Sequence, residues 1–142
     1  LGPGPSRAAA RLARVVERAL AEPELSLAQY RLLAFLAEGA SAAAVIADKL
    51  AVSRPSITAL VDGLVSRGLV ARSGDPSDRR RVHVALTDAG RKALALADEA
   101  VTRRLAALLE PLPATTARKA VTGLEALREA LDIDRAGRLR RR

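Results

Sequence analysis

Residues 53–87, SRPSITALVDGLVSRGLVARSGDPSDRRRVHVALT, leave few folds open to this chain. Ile57, Leu60, Val61, Leu64 and Val65 recur at intervals of three and four, which puts all five on one face of a helix. Ser53 stands where an N-cap belongs, Pro55 falls in the first turn, where its missing N–H is tolerated, and Gly68 marks the stop. Leu69–Arg72 and Arg81–Leu86 then flank the turn-rich stretch Ser73-Gly74-Asp75-Pro76-Ser77-Asp78-Arg79-Arg80. Helix, strand, basic turn, strand is the outline of a winged helix-turn-helix, and a lobe of that kind is expected to bind duplex DNA.

The flanking sequence predicts helices. A stripe of Ala9, Leu12, Val15, Val16 and Leu20 predicts one from Ser6 to about Ala21, ended by Glu22-Pro23-Glu24 after a lead-in broken by Gly and Pro. Ser26 with Gln29 three residues on has capping-box form and opens a second helix, which carries Tyr30, Leu32, Leu33 and Leu36 and stops at Gly39. Ser41 is expected to cap a shorter third helix with Val45, Ile46 and Leu50 as its apolar positions; with the Ser53 helix it makes the helix-turn-helix pair. After the wing, Thr87 caps a long helix to about Glu110, with Leu94, Ala97 or Asp98, Val101, Leu105 and Leu108 as its stripe. Pro111-Leu112-Pro113 breaks the chain, and Val121, Leu124, Leu127 and Leu131 line a last helix from about Thr116 to Leu131. The fold expected is mainly α with a two- to three-stranded β wing, in a single domain of 142 residues. The winged lobe spans about 26–87, a helical dimerisation region spans about 6–21 and 88–132, and residues 133–142 form a basic tail, a run of like charge of the kind that is usually disordered. Long apolar stripes need a partner, and a second copy across a two-fold axis supplies one; packing within one chain is the alternative.

Charge and rare residues narrow the function. The net charge is +8, but five arginines and no acid lie in 135–142, so residues 1–134 carry only +3. Residues 53–81 also carry +3, so the winged segment accounts for the excess of the folded part and fits polyanion binding. The absence of Cys excludes disulfides and thiol redox switching, and a single His leaves no histidine-rich metal site. Neither a membrane-length apolar run nor a signal segment is present, so a soluble, intracellular protein, cytoplasmic in location, is expected. With no Met at residue 1, the sequence is expected to begin inside the natural chain or after loss of the initiator. Paired acid–base groups, Gly-rich phosphate loops and metal-ligand spacings are lacking, so neither an enzyme nor a cofactor or metal is expected.

The chain resembles the MarR family, the multiple-antibiotic-resistance regulators, over about residues 6–132. The resemblance rests on ordered stretches: Leu25–Tyr30, Ile46–Leu50, Ser53–Thr58, Leu60–Asp62, Arg67–Val70, Asp75–Arg80 and Leu86–Gly90. Each alone is common; the Asp-x-Arg wing followed by Leu-Thr-x-x-Gly is specific. It departs from the family at Ala51, where Gly is frequent, and in the bland Ala42-Ala43-Ala44; Gly63 inside the recognition helix costs about 1 kcal/mol relative to Ala. The resemblance implies a homodimer with interlocked terminal helices, bound to a pseudo-palindromic operator on double-stranded DNA. It also implies a repressor relieved by a small lipophilic or phenolic effector.

On the Ser53 helix, Ser53, Arg54, Pro55, Ser56 and Thr58 point away from the apolar face. Arg54 suits a guanine edge or a phosphate, and Pro55 and Thr58 suit a thymine methyl. Ser53 is either a cap or a phosphate ligand, and helix-end N–H groups suit phosphates too. In the wing, Arg79, Arg80 and Arg81 follow a turn that can reach a narrow minor groove, although alternation along a strand keeps all three from pointing one way. The family pattern selects Arg80 for insertion, with Asp78 bracing the wing as an ion-pair partner. His83 reads as a half-exposed strand residue. Tyr30, near where the family's effector pockets open, is the candidate effector residue, with a core or interface place as its alternative. Two other functions stay open: a constitutive DNA-binder without effector, and a winged-helix scaffold for protein contacts.

Overall fold

The structure, a computed structural model, describes residues 2–39, 41–42, 45–46, 53–74 and 82–140, with the backbone alone at Ala42, Arg54 and 135–140. The chain divides into two units, Leu1–Arg104 and Leu105–Arg142. In the first, helix α1 (Pro3–Ala19) begins three residues before the expected Ser6, because Pro3 stands at a helix start, where no N–H is required. Its exit is a left-handed cap: the Leu25 amide donates to the Leu20 carbonyl (3.0 Å) and that of Glu24 to Ala21 (3.2 Å), with Glu24 at φ 55°. Helix α2 (Leu27–Ala37) follows, its capping box closed in both directions: Gln29 N–H to Ser26 Oγ at 3.1 Å, Ser26 N–H to Gln29 Oε1 at 2.9 Å.

Ser41 is not the helix cap the sequence suggested. Ser41–Ala42 form strand β1, paired antiparallel with Val84 and His83. An extended backbone serves a cap and an edge strand equally, and here the neighbouring strand takes its polar groups. Of the expected third helix only Val45 and Ile46 are described; both are helical, and Ile46 is fully buried. Leu50 and the Ala51 turn lie outside the described residues.

Helix α3 (Arg54–Ser66) ends as α1 does, with Leu69 N–H to the Leu64 carbonyl and Gly68 N–H to that of Val65, both at 2.9 Å. Here the left-handed position, φ 69°, is held by Gly68, as expected. Strands β2 (Val70–Gly74) and β3 (Val82–Leu86) pair from Val70↔Leu86 to Gly74↔Val82, giving a sheet in the order β1-β3-β2. Helix α4 (Asp88–Leu109) leads out of the sheet and continues into the second unit. The core lies in the first unit: Leu20, Leu32, Leu33, Ile46, Leu64 and Val84 are sealed from solvent. On α3, Ile57, Val61 and Leu64 are buried and Leu60 is half-buried, while Val65, expected on the same face, is exposed.

The second unit is dominated by α5 (Ala114–Arg140), which starts near the expected point but runs past Leu131 into the basic run read from sequence as a tail. Gly137 is too isolated to end it, since one Gly costs about 1 kcal/mol and no Pro follows. Its stripe of Val121, Leu124, Leu127 and Leu131 is exposed, as is Leu108 of α4. No described helix is long and apolar enough to cross a membrane.

Candidate nucleic-acid interface

The amino-terminal turn of α3 presents Ser53, Pro55, Ser56 and Thr58 to solvent while Ile57 and Val61 anchor the opposite face. Ser53 is the N-cap: its Oγ accepts from the Ser56 amide (3.2 Å) and lies 2.7 Å from the Ser56 hydroxyl. The cap uses up much of what a phosphate would seek. Pro55 has no N–H and that of Ser56 is taken, so among the first three helical positions only Arg54 brings an amide to a ligand. Arg54 stands in that first turn, but its side chain lies outside the described residues, as do Asp78, Arg79, Arg80 and Arg81 at the wing tip. Residues 75–81 join strands whose ladder closes at Gly74 and Val82. His83 is half-buried in β3.

Three contacts fix α3 against its surroundings. Arg72 Nη1 on β2 meets Asp62 Oδ1 on the helix at 2.6 Å, and Arg67 Nη1 donates to the Glu24 carbonyl at 2.8 Å. The third is Thr87. Its hydroxyl donates to the Gly68 carbonyl (2.6 Å) and accepts from the Gly90 amide (3.0 Å), while its own amide donates to the Leu69 carbonyl (3.1 Å). One side chain thus caps α4 and holds the exit of α3. Gly90 is buried so closely against this exit that a Cβ there would lie 1.9 Å from the Leu69 carbonyl oxygen. From sequence, Thr87 reads as a cap and Leu-Thr-x-x-Gly as a motif, without the hold on α3; two residues of one motif touching Gly68 and Leu69 is a tertiary fact. Asp62–Arg72 had no local signal, since helix and strand spacing do not set their approach.

Tyr30 is half-buried on α2 and donates to Asp98 Oδ1 on α4 at 2.6 Å. Burial, and then the hydrogen bond and charge of Asp98, push the phenol above its ordinary range. A cavity of about 320 Å³ opens between α2, β3 and α4, walled by Leu36, Leu86 and Leu94, with Arg91 and Asp98 as its charged groups. Tyr30 does not line it; Asp98 does. Arg91 is engaged by Asp88 Oδ1 at 2.7 Å. No group of three or more potential metal ligands occurs among the described residues.

Residues 24–81 match the MarR family model. Among solved structures, the transcriptional repressor CouR bound to a 23-mer DNA duplex is 34% identical, covering 89% of this chain and 90% of that one, with a TM-score of 0.74. CouR from Rhodococcus jostii RHA1 bound to p-coumaroyl-CoA is 30% identical over 86% of this chain and 87% of that one, with a TM-score of 0.65. A mutant of MarR from E. coli is 25% identical over 92% and 95%, with a TM-score of 0.77. No curated protein sequence matches the chain.

Proposed function

Because the chain belongs to the MarR family of transcriptional regulators, we propose that it acts as a homodimer on a pseudo-palindromic site in duplex DNA, repressing transcription until a small molecule binds. The observation that carries this reading is the α3 face. A capped helix start exposes Ser53, Pro55, Ser56 and Thr58, and the same helix is tied to the wing strand through Asp62–Arg72. A helix in the major groove and a wing on the adjacent backbone gain specificity only if their spacing is fixed. Arg54 reads a base edge or a phosphate from the first turn. Arg79, Arg80 and Arg81 supply the wing's charge, with Arg80 entering the minor groove and Asp78 bracing it.

Dimerisation is supported by the exposed Leu124, Leu127 and Leu131, an apolar row that a second copy would cover. Effector relief is supported by the cavity between α2, β3 and α4. Its apolar walls, with Arg91 and Asp98 as charged lining groups, suit a small amphipathic molecule. Tyr30 takes part by holding Asp98 rather than by touching the ligand.

The test is selection of a preferred duplex from a random pool, followed by anisotropy titrations over a salt series and mass in solution. The expected outcome is a palindromic site bound by a dimer. Arg80→Ala should bind roughly tenfold or more weakly, with the slope of log affinity against log salt reduced by about one. Weak binding without sequence preference, unaffected by Arg80→Ala, would turn the reading towards a protein-contact scaffold.

A further inference from the structure

Helix α1 carries Arg7, Arg11, Arg14 and Arg18, spaced four, three and four residues apart. At about 100° per residue all four fall within a narrow sector of one helix face, spread over about 16 Å of axis. All four are exposed, and none has an ion pair or hydrogen-bond partner among the described residues. The only acid of the helix, Glu17, lies off this face. Four like charges at i, i+4 and i+3 repel one another, so the row lowers the stability of α1 taken alone.

Helix α5 carries the opposite sign in the same spacing. Glu125, Glu129 and Asp132 stand four and three residues apart on one face, all exposed. Asp132 is approached by Arg128 at 3.5 Å; Glu125 and Glu129 have no ion pair among the described residues. The exposed apolar residues Leu124, Leu127 and Leu131 occupy a different face of the same helix, so the acidic row is left to a second element of the partner.

We propose that the arginine row of α1 in one copy pairs with the acidic row of α5 in a second copy, as an electrostatic register device for the dimer. The pairing rests on the dimer reading above and names the residues that set its alignment. The two rows are complementary in sign and in period. Two helices with the same three–four charge spacing can match at successive turns only in a few registers, whereas an apolar seam of Leu and Ala tolerates sliding. Complementary charges across a contact fix partner and register, contributing more to alignment than to affinity. Arginine suits the role because its planar fork meets a carboxylate in two parallel hydrogen bonds.

The experiment is a charge swap read by sedimentation equilibrium on the full chain. The variants are Arg11→Glu/Arg14→Glu, Glu125→Arg/Glu129→Arg, and the four changes combined. Each double reversal should raise the dimer dissociation constant by roughly tenfold or more at low salt, less at high salt, and the combination should restore it to within about threefold of wild type. The side chains are exposed, so helix content by circular dichroism should be unchanged; were Arg11→Glu/Arg14→Glu unfolded, Arg7→Glu/Arg18→Glu replaces it in the same cycle.

Three outcomes overturn the proposal. In the first, the combination is as weak as its parents. In the second, reversal shifts the melting temperature while the dimer constant stays unchanged, so the rows act within one chain. In the third, the α1 reversal spares the dimer and instead weakens binding to a random duplex with a reduced salt slope, making the row a DNA surface. A monomeric wild type would instead remove the dimer reading itself, and the pairing with it.

Discussion

At Gly63 the α3 helix carries a residue that its geometry does not require. A Cβ built there meets nothing within 4 Å, and its φ is not in the left-handed region. Gly63→Ala should therefore raise stability by about 0.5–1 kcal/mol through reduced unfolded-state entropy, measured by urea denaturation. Space is available, so a loss would mean that bending of α3 is needed. Tyr30 offers a second test, because it is the chain's only tyrosine and there is no Trp. Its folded phenol is held protonated by burial, helped by Asp98, above the usual value near 10 of the unfolded chain. The protonated form is favoured by folding, so its contribution to stability is complete below about pH 10 and is lost as pH rises through the higher folded value. Phenolate absorbance should stay low in the folded protein through that window. Tyr30→Phe should flatten the alkaline fall in stability; an unchanged alkaline limb would place its cause elsewhere.

Helices and their punctuation were legible wherever a local signal decides the matter. The Ser26–Gln29 box, the Ser53 cap and the Gly68 exit were each readable within a few residues, because a cap or left-handed stop depends on its own neighbours. Legibility failed where another element decides. Ser41 became a strand because β3 lies beside it, and Val65 is exposed at the margin of the face that Ile57, Val61 and Leu64 bury. Glu24 shows a third kind of failure: a left-handed exit normally signalled by Gly is made by a Glu, so the sequence carried only Pro23 as warning. Of the candidate site, the exposed α3 residues could be named from periodicity, but the hold on that helix could not. Thr87 is the sharpest instance, joining α4 to the exit of α3 through one hydroxyl. Thr87→Val keeps the shape but removes both hydroxyl bonds, and should cost about 1–3 kcal/mol, since the Gly68 carbonyl and Gly90 amide lose their partner. Thr87→Ser should recover most of that loss. Equal stability of the Val variant and wild type in urea titration would mean that water replaces the hydroxyl at both ends.

For the molecule as a whole, the charge distribution separates two kinds of attraction to DNA. Removing residues 135–142 deletes five arginines and takes the net charge from +8 to +3, while leaving α3 and every residue of the wing in place. Helix α5 runs through Arg140, so Arg135, Arg138 and Arg140 stand on a helix. Phosphate contacts supply affinity without sequence information, whereas base contacts supply preference. If the terminal arginines act only through the field they add, a chain ending at Asp134 should bind random duplex more weakly. Its salt slope should be shallower, by up to about 0.9 for each phosphate that is no longer neutralised. Affinity for the preferred duplex should fall by the same factor or less, so the ratio of specific to random binding is kept or rises. Parallel anisotropy titrations of the two duplexes over one salt series read both quantities. A ratio that falls on truncation would mean that the arginine end contributes to recognition of the site, and that the winged lobe does not carry specificity alone.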